Sequence, residues 1–118
     1  MNKAQSLVTA VETNNNEMVN LLLNHRAVGW KGYVVGPTIN LLIIAAKNKN
    51  SSMVRNLLRS FDSYINNPVK YKSIPTNIQK NYIWTDVDRA AHEMMNTDQN
   101  EIVNQLRVWL DNHMNLAI

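Results

Sequence analysis

The stretch AAKNKNSSMVRNLL, residues 45–58, decides how this chain folds. It opens with two alanines, continues through six polar residues, and ends in two apolar pairs, Met53–Val54 and Leu57–Leu58. Small residues let two helices approach closely, and apolar pairs four residues apart lie on one face of a helix. The stretch therefore predicts the end of one helix, a tight polar turn and the start of a second helix.

The same pattern occurs elsewhere in the chain. Counted from Ala10, apolar pairs fall eight and twelve residues later, at the spacing that they have from Ala45, so the two copies are 35 residues apart. A third copy begins near residues 90–91, but its second helix is displaced by four residues, to Ile102, Val103 and Leu106. Self-similarity at this period is typical of proteins built from stacked repeats.

On both sides of residues 45–58, the spacing of apolar residues predicts further helices. The whole chain is thus predicted to be an all-α protein of about six helices, arranged as three stacked helical hairpins. The predicted helices cover residues 4–12, 17–25, 41–46, 52–64, 84–95 and 99–110. At 118 residues the chain is expected to form a single domain, with approximate repeats at 4–36, 37–80 and 81–118. An irregular six-helix bundle is the alternative.

Two stretches lack a helical period. Residues 27–37 contain all three glycines together with Trp30, Tyr33 and three valines, which predicts an extended finger. Residues 66–80 contain two prolines, which predicts a long loop, and a loop of that length is often functional.

Several polar residues are predicted to begin or end helices. Asparagine is abundant, at 19 of 118 residues, and its usual places are caps and turns. Asn14–Asn16 is expected to close the first helix and open the second. Thr38 or Asn40 is expected to cap the third helix, and Ser51 or Ser52 the fourth. Asp98, three residues before Glu101, has the spacing of a capping box.

An alanine anchor, a polar turn, an apolar pair, a leucine pair and a finger together resemble the ankyrin repeat, whose period is about 33 residues. This resemblance implies stacked helical hairpins and a protein-binding surface built from fingers and first helices. Small, asparagine-rich, cysteine-free proteins of this kind are similar to effectors, or regulators of effector enzymes, from intracellular bacterial pathogens. The resemblance thus implies an adaptor or an inhibitor of a partner enzyme.

Composition excludes several classes of protein. The chain has no cysteine, hence no disulfide framework and no cysteine nucleophile. Its longest apolar run, residues 41–46, is too short to span a bilayer, and residues 1–6 lack the apolar core of a secretory signal. The expected location is the cytoplasm, or a host cell reached through a specialised secretion system. Neither membrane association nor a cofactor is predicted.

Catalytic patterns are scarce. His25, His92 and His113 share no metal-binding spacing and are predicted to lie on the surface or at helix ends. Asp86 and Asp88 point apart when they lie two residues apart on a helix, so a capping role near the start of the fifth helix is expected instead. An enzyme is therefore not predicted.

Charge is distributed unevenly. Residues 1–83 carry ten Lys and Arg against three Asp and Glu, whereas residues 84–118 carry two against six. This asymmetry fits head-to-tail association, including a homodimer, or a bipolar binding surface. Nucleic-acid binding through a dispersed basic face is the alternative function, although no dense basic run is present.

Aromatic residues outside the helical periodicity are the candidate partner-binding residues. Trp109 continues an apolar stripe and is expected in the core, whereas aromatics in the finger and the loop suit interface anchors. The candidate residues are Trp30, Lys31, Tyr33, Val34, Tyr71, Lys72, Tyr82 and Trp84. For Trp84, core packing is the alternative.

Overall fold

The computed structural model describes residues 3–24, 40–66 and 77–117. Within these ranges the protein is all-helical, with six α-helices, one short 3-10 helix and no strand, which confirms the predicted all-α class. The helices are α1 (Lys3–Glu12), α2 (Asn16–Asn24), α3 (Leu41–Lys47), α4 (Ser51–Asn66), α5 (Asn77–Met94) and α6 (Asn100–Asn112), followed by the 3-10 helix Met114–Leu116. The predicted finger, residues 27–37, lies outside the described residues.

The helices form three consecutive pairs arranged in two rows. Within each pair the two helices contact each other: α1 with α2, α3 with α4, and α5 with α6. The first helices also contact one another in series, α1 with α3 and α3 with α5, and the second helices do the same. None of the described helices has the length and hydropathy needed to cross a membrane.

Helix α3 occupies the centre of the row of first helices and is accordingly the most apolar. Leu41, Leu42, Ala45 and Ala46 are buried, and Ile43 and Ile44 pack partly buried against the same core. The two alanines keep their helix close to its neighbours on both sides, because a larger side chain would hold the helices apart. The helix begins at Asn40, whose side-chain oxygen accepts from the Leu42 and Ile43 amides, so the predicted cap is confirmed.

The turns of the first two pairs have the same hydrogen bonds, 35 residues apart. The Asn15 amide donates to the Ala10 oxygen at 2.9 Å, and the Asn50 amide donates to the Ala45 oxygen at 3.1 Å. In each turn, the residue just before this asparagine has a positive φ angle, 62° for Asn14 and 60° for Lys49. This is the Schellman pattern of helix termination, which uses a left-handed residue to satisfy the last carbonyls of the helix.

The first two turns are also joined directly. Asn50 Nδ2 donates to Asn14 Oδ1 at 2.6 Å and to Asn16 Oδ1 at 2.9 Å, while Asn50 Oδ1 accepts from the Met53 amide at 3.1 Å. One asparagine therefore caps α4 and links the two turns. The prediction that Ser51 or Ser52 caps α4 is wrong, since the cap lies one residue earlier.

The third turn is longer, as the displaced apolar pair predicted. It comprises residues 95–99, whereas the second turn comprises residues 48–50. The Val103 amide donates to the Gln99 oxygen, as the Val54 amide does to the Asn50 oxygen. Gln99 occupies the N-cap position of α6 without a side-chain capping bond, so the predicted capping box at Asp98 is wrong.

The predicted loop at 66–80 is wrong at both ends. Asn66 is the last residue of α4 and residues 77–80 are the first turn of α5, while residues 67–76 lie outside the described part of the chain. Helix α5 also begins seven residues before its predicted start at residue 84. The first turn gave no signal because Ile78, its one apolar residue, is exposed and does not continue the apolar periodicity. Asp86 and Asp88 consequently lie beyond the middle of α5, and their predicted role near its start is wrong.

Candidate functional site

The structure describes two of the eight predicted partner-binding residues, Tyr82 and Trp84. Both lie within α5 rather than directly after a loop. The other six lie outside the described residues and remain predictions: Trp30, Lys31, Tyr33, Val34, Tyr71 and Lys72.

Tyr82 lies on the solvent-facing side of α5, one helical turn after Ile78. Their exposed fractions are 52% and 68%, whereas Ile83 and Val87 on the opposite side are buried in the core. Side chains four residues apart are neighbours on a helix surface. Ile78 and Tyr82, here called the front ridge, thus form one exposed apolar and aromatic surface.

Trp84 differs from Tyr82, although both belong to the same turn. It packs partly buried against the core, and its indole Nε1 is buried without an acceptor among the described residues. This partial burial favours the core-packing alternative for Trp84.

A second surface, which the sequence did not indicate, is a groove of about 350 Å³ between α4 and α6, called the rear groove here. It lies in the row of second helices. Its lining residues are Arg55, Leu58, Arg59, Asp62, Asn104, Gln105, Val108, Trp109, Asn112 and His113.

Three side chains at one end of the rear groove hold one another in place. Trp109 Nε1 donates to Asp62 Oδ1 at 2.9 Å, and His113 Nε2 lies 2.8 Å from the same oxygen. The imidazole stacks on the indole with ring centroids 3.9 Å apart and an interplanar angle of 12°. Phe61 meets the indole edge-on from the core side, with centroids 6.4 Å apart. Trp109 is buried, which confirms its predicted place in the core.

The His113 ring has an oxygen at each nitrogen. Nδ1 lies 2.7 Å from the Trp109 carbonyl oxygen, and Nε2 faces the Asp62 carboxylate. These two contacts fix the orientation of the imidazole ring at the end of the groove.

The rest of the groove presents hydrogen-bond donors. Gln105 Nε2 is buried without an acceptor among the described residues, an arrangement that costs roughly 1–3 kcal/mol in a folded protein. Arg55 lies 3.8 Å from Glu101, a loose and exposed ion pair. Arg59 has no ion-pair partner within the described ranges. The groove is thus suited to a ligand that offers oxygen acceptors.

Asp86 is the one described residue whose pKa is shifted far from its usual value. Burial raises the pKa of its carboxyl group from 3.8 to about 6, and the nearby Arg89 guanidinium partly opposes the rise. A raised carboxyl pKa occurs at functional sites and at structural ones. The backbone oxygen of Asp86 accepts from Asn40 Nδ2 at 2.9 Å, so this residue belongs to the packing of α3 against α5.

The structure describes two of the three histidines, and His25 lies outside the described residues. His92 is exposed on α5 and His113 follows the last residue of α6. Over residues 3–24, 40–66 and 77–117, no group of three His, Asp or Glu side chains is placed to hold a metal ion.

Sequence reasoning missed Asp62, Gln105 and His113. Asp62 and Trp109 are 47 residues apart, and only the packing of α4 against α6 brings them together. One local signal was present, because Trp109 and His113 are four residues apart on α6, where two rings can stack.

Comparisons of the chain with protein-family models, with curated proteins and with solved structures found no match.

Proposed function

We propose that this protein is a non-enzymatic protein-interaction module, acting as an adaptor or as an inhibitor of a partner enzyme. The observation that carries the proposal is the front ridge, Ile78 and Tyr82, where two large side chains project into solvent one turn apart on α5. Burying such a side chain against a partner contributes about 1.5–3 kcal/mol, and tyrosine is enriched among interface anchors.

The front ridge by itself is too small for a stable complex. A specific interface buries about 800 Å² on each partner, several times the area of two side chains. The proposal therefore assigns the remaining contacts to the predicted finger, with Trp30, Lys31, Tyr33 and Val34, and to Tyr71 and Lys72.

Ankyrin-like stacking is part of the proposal. It is supported by two turns with equivalent hydrogen bonds 35 residues apart and by first helices that contact one another in series. Repeat proteins of this kind bind partners along an extended surface. The front ridge lies on the first helix of the third pair, where such a surface is expected. We propose the bacterial effector or effector-regulator role, with cytoplasmic or host-cell location, on the resemblance alone.

Nucleic-acid binding receives less support from the described basic residues. Lys47 lies 3.4 Å from Glu93, and Arg55 lies near Glu101, so two of the cations that a phosphate backbone needs are already beside carboxylates. Affinity for nucleic acid depends on many free cations along one face.

The test is selection of a protein partner from a two-hybrid library of genomic fragments, followed by measurement of its affinity for purified variants. Replacing both ridge residues (Ile78→Ser with Tyr82→Ser) is expected to weaken binding at least tenfold. Leu21→Ser is the matched control, because Leu21 is 50% exposed but lies on α2, and it is expected to leave affinity unchanged. Circular dichroism checks that all variants stay folded.

Equal loss of affinity in the control and in the ridge variant would contradict the assignment of the ridge. A second variant, Trp30→Ala with Tyr33→Ala, tests the predicted finger separately. Substrate turnover by the purified protein alone would contradict the non-enzymatic part of the proposal.

A further inference from the structure

We propose that the rear groove is a second binding site, which takes a short, extended, acidic segment of a partner protein. In this site Arg59 binds a carboxylate of the segment and Gln105 Nε2 donates to one of its main-chain carbonyl oxygens. The inference rests on the proposed protein-binding function, but not on the front ridge.

The dimensions of the groove suit a few residues of extended chain. At a rise of about 1.5 Å per residue, its lining on α6, from Asn104 to Asn112, is about 12 Å long, and its lining on α4, from Arg55 to Asp62, about 10 Å. An extended chain advances about 3.3 Å per residue, so the groove accommodates about three or four residues. Its volume of about 350 Å³ lies in the range of ligand sites.

Gln105 supplies the main reason to expect a peptide. Its Nε2 is buried, lines the groove and has no acceptor among the described residues. Buried donors in folded proteins are almost always paired with protein or water, so a donor that has no protein acceptor beside an open groove is available to an acceptor carried by a ligand. A main-chain carbonyl oxygen is such an acceptor. Asn104 and Asn112, exposed on the same helix, offer further amide groups for an extended backbone.

The charged side chains that line the groove favour an acidic segment over a basic one. The Asp62 carboxylate already accepts the indole N–H of Trp109 and faces His113, so it is occupied at its end of the groove. Arg59, by contrast, has no ion-pair partner in the described part of the chain. An aspartate or glutamate of the segment would neutralise it.

An apolar contact completes the site. Val108 is 49% exposed on the surface of α6, one turn from Asn104 and from Asn112, and Leu58 and Trp109 lie buried beside it. An apolar side chain next to the acidic one would cover Val108. The expected segment therefore combines one acidic and one apolar residue.

One carboxylate in the groove and one beside it disfavour a nucleic acid. Asp62 lines one end, and Glu101 lies beside Arg55. A nucleic acid carries a phosphate on every nucleotide, so its backbone would meet these carboxylates as well as the arginines. A segment with a single carboxylate avoids that repulsion.

The test selects ligands from a phage-displayed random peptide library on the immobilised full chain. Synthetic copies of the enriched peptides are then titrated by fluorescence polarisation. Enrichment of Asp or Glu next to an apolar residue is expected, and Arg59→Glu is expected to weaken binding at least tenfold. Arg107→Glu is the control with the same charge change, because Arg107 lies on α6 outside the groove and contacts Met95. It is expected to change affinity less than twofold.

A second variant separates binding from folding. Gln105→Met keeps the length of the side chain but removes the unpaired donor. It is expected to raise the melting temperature by a few degrees while weakening peptide binding at least fivefold. A purely structural Gln105 would not produce these opposite effects. In nitrogen–proton spectra, the indole N–H of Trp109 is expected to shift on addition of peptide.

Selection of no peptide, selection of neutral or basic peptides, or equal affinity of wild type and Arg59→Glu would overturn the inference. So would binding of a fluorescent 15-nucleotide thymidine oligomer that Arg59→Glu abolishes, since this would assign the groove to nucleic acid. Because the front ridge is tested by its own variants, a partner that binds there while the groove binds no peptide would leave the proposed function intact.

Discussion

At the scale of single residues, Asp86 on α5 makes the stability of the fold depend on pH. Its carboxyl group is buried enough to raise its pKa from 3.8 to about 6, despite the opposing charge of Arg89. Between these two pH values the folded protein binds a proton more tightly than the unfolded chain does. The contribution of protonated Asp86 to the stability of the folded protein is therefore fully present below about pH 4 and is lost as the pH rises through 6.

The substitution Asp86→Asn removes this titration and leaves a neutral side chain of similar shape. At pH 7.5 the variant is expected to be more stable than wild type by about 1 kcal/mol, after allowance for the partial exposure of the site. At pH 4 the advantage is expected to disappear, because wild type is then largely protonated. Urea unfolding at both pH values measures the difference, and a stability difference that does not change with pH would contradict the assignment.

At the scale of elements, asparagine side chains build the first two turns of this chain. Asn15 and Asn50 each accept from a backbone amide three residues later, Met18 and Met53 respectively. Asn14 takes the left-handed conformation expected of it, but the equivalent position in the second turn is Lys49, which has the same positive φ without the advantage of an asparagine side chain.

Replacing the left-handed residue of each turn by glycine is expected to have different effects. Lys49→Gly should stabilise the protein by about 0.5–1 kcal/mol, because glycine adopts a positive φ without the steric cost that lysine has. Asn14→Gly should be neutral or destabilising, since Asn14 Oδ1 accepts from Asn50 Nδ2 at 2.6 Å. Thermal unfolding measures both, and a destabilised Lys49→Gly would show that the lysine side chain has another structural role.

At the scale of the whole molecule, one buried amide links the start of the central helix α3 to α5. Asn40 caps α3 with its oxygen and reaches α5 with its nitrogen, through the bond to the Asp86 backbone oxygen. The first and second pairs are joined at the opposite end of α3, where Asn48 Nδ2 lies 3.4 Å from the Val11 oxygen and Asn50 bridges the turns. Polar bonds thus hold both ends of the central helix, while its apolar side chains fill the core.

The two functions of Asn40 are separable by substitution. Asn40→Asp keeps the capping oxygen but loses the donor to α5, and it is expected to destabilise the fold by about 1–2 kcal/mol at neutral pH. Asn40→Ala loses both functions and should cost more. Urea unfolding of the two variants against wild type is the measurement. If Asn40→Asp were as stable as wild type, the bond to α5 would contribute nothing to the joining of the pairs.

Much of this architecture is predictable from local pattern. The alanine anchor and apolar pairs of residues 45–58 determine a helix, a turn and a helix, because burial of one helix face requires that period wherever it occurs. The displaced pair at Ile102 and Val103 likewise predicts the longer third turn. The first turn of α5 was not predictable in this way, since Ile78 is exposed and periodicity reports only buried faces.

The sequence by itself thus determined the all-α class, the six helices and the central place of α3, since these follow from interactions within a few turns of helix. The tertiary structure alone decided that the second helices α4 and α6 form a groove between them. Asp62, Gln105, Trp109 and His113 belong to two helices distant in the chain, and the rear groove exists only because α4 and α6 pack side by side. A groove is a property of the distance between two surfaces, and no pattern within either helix encodes that distance.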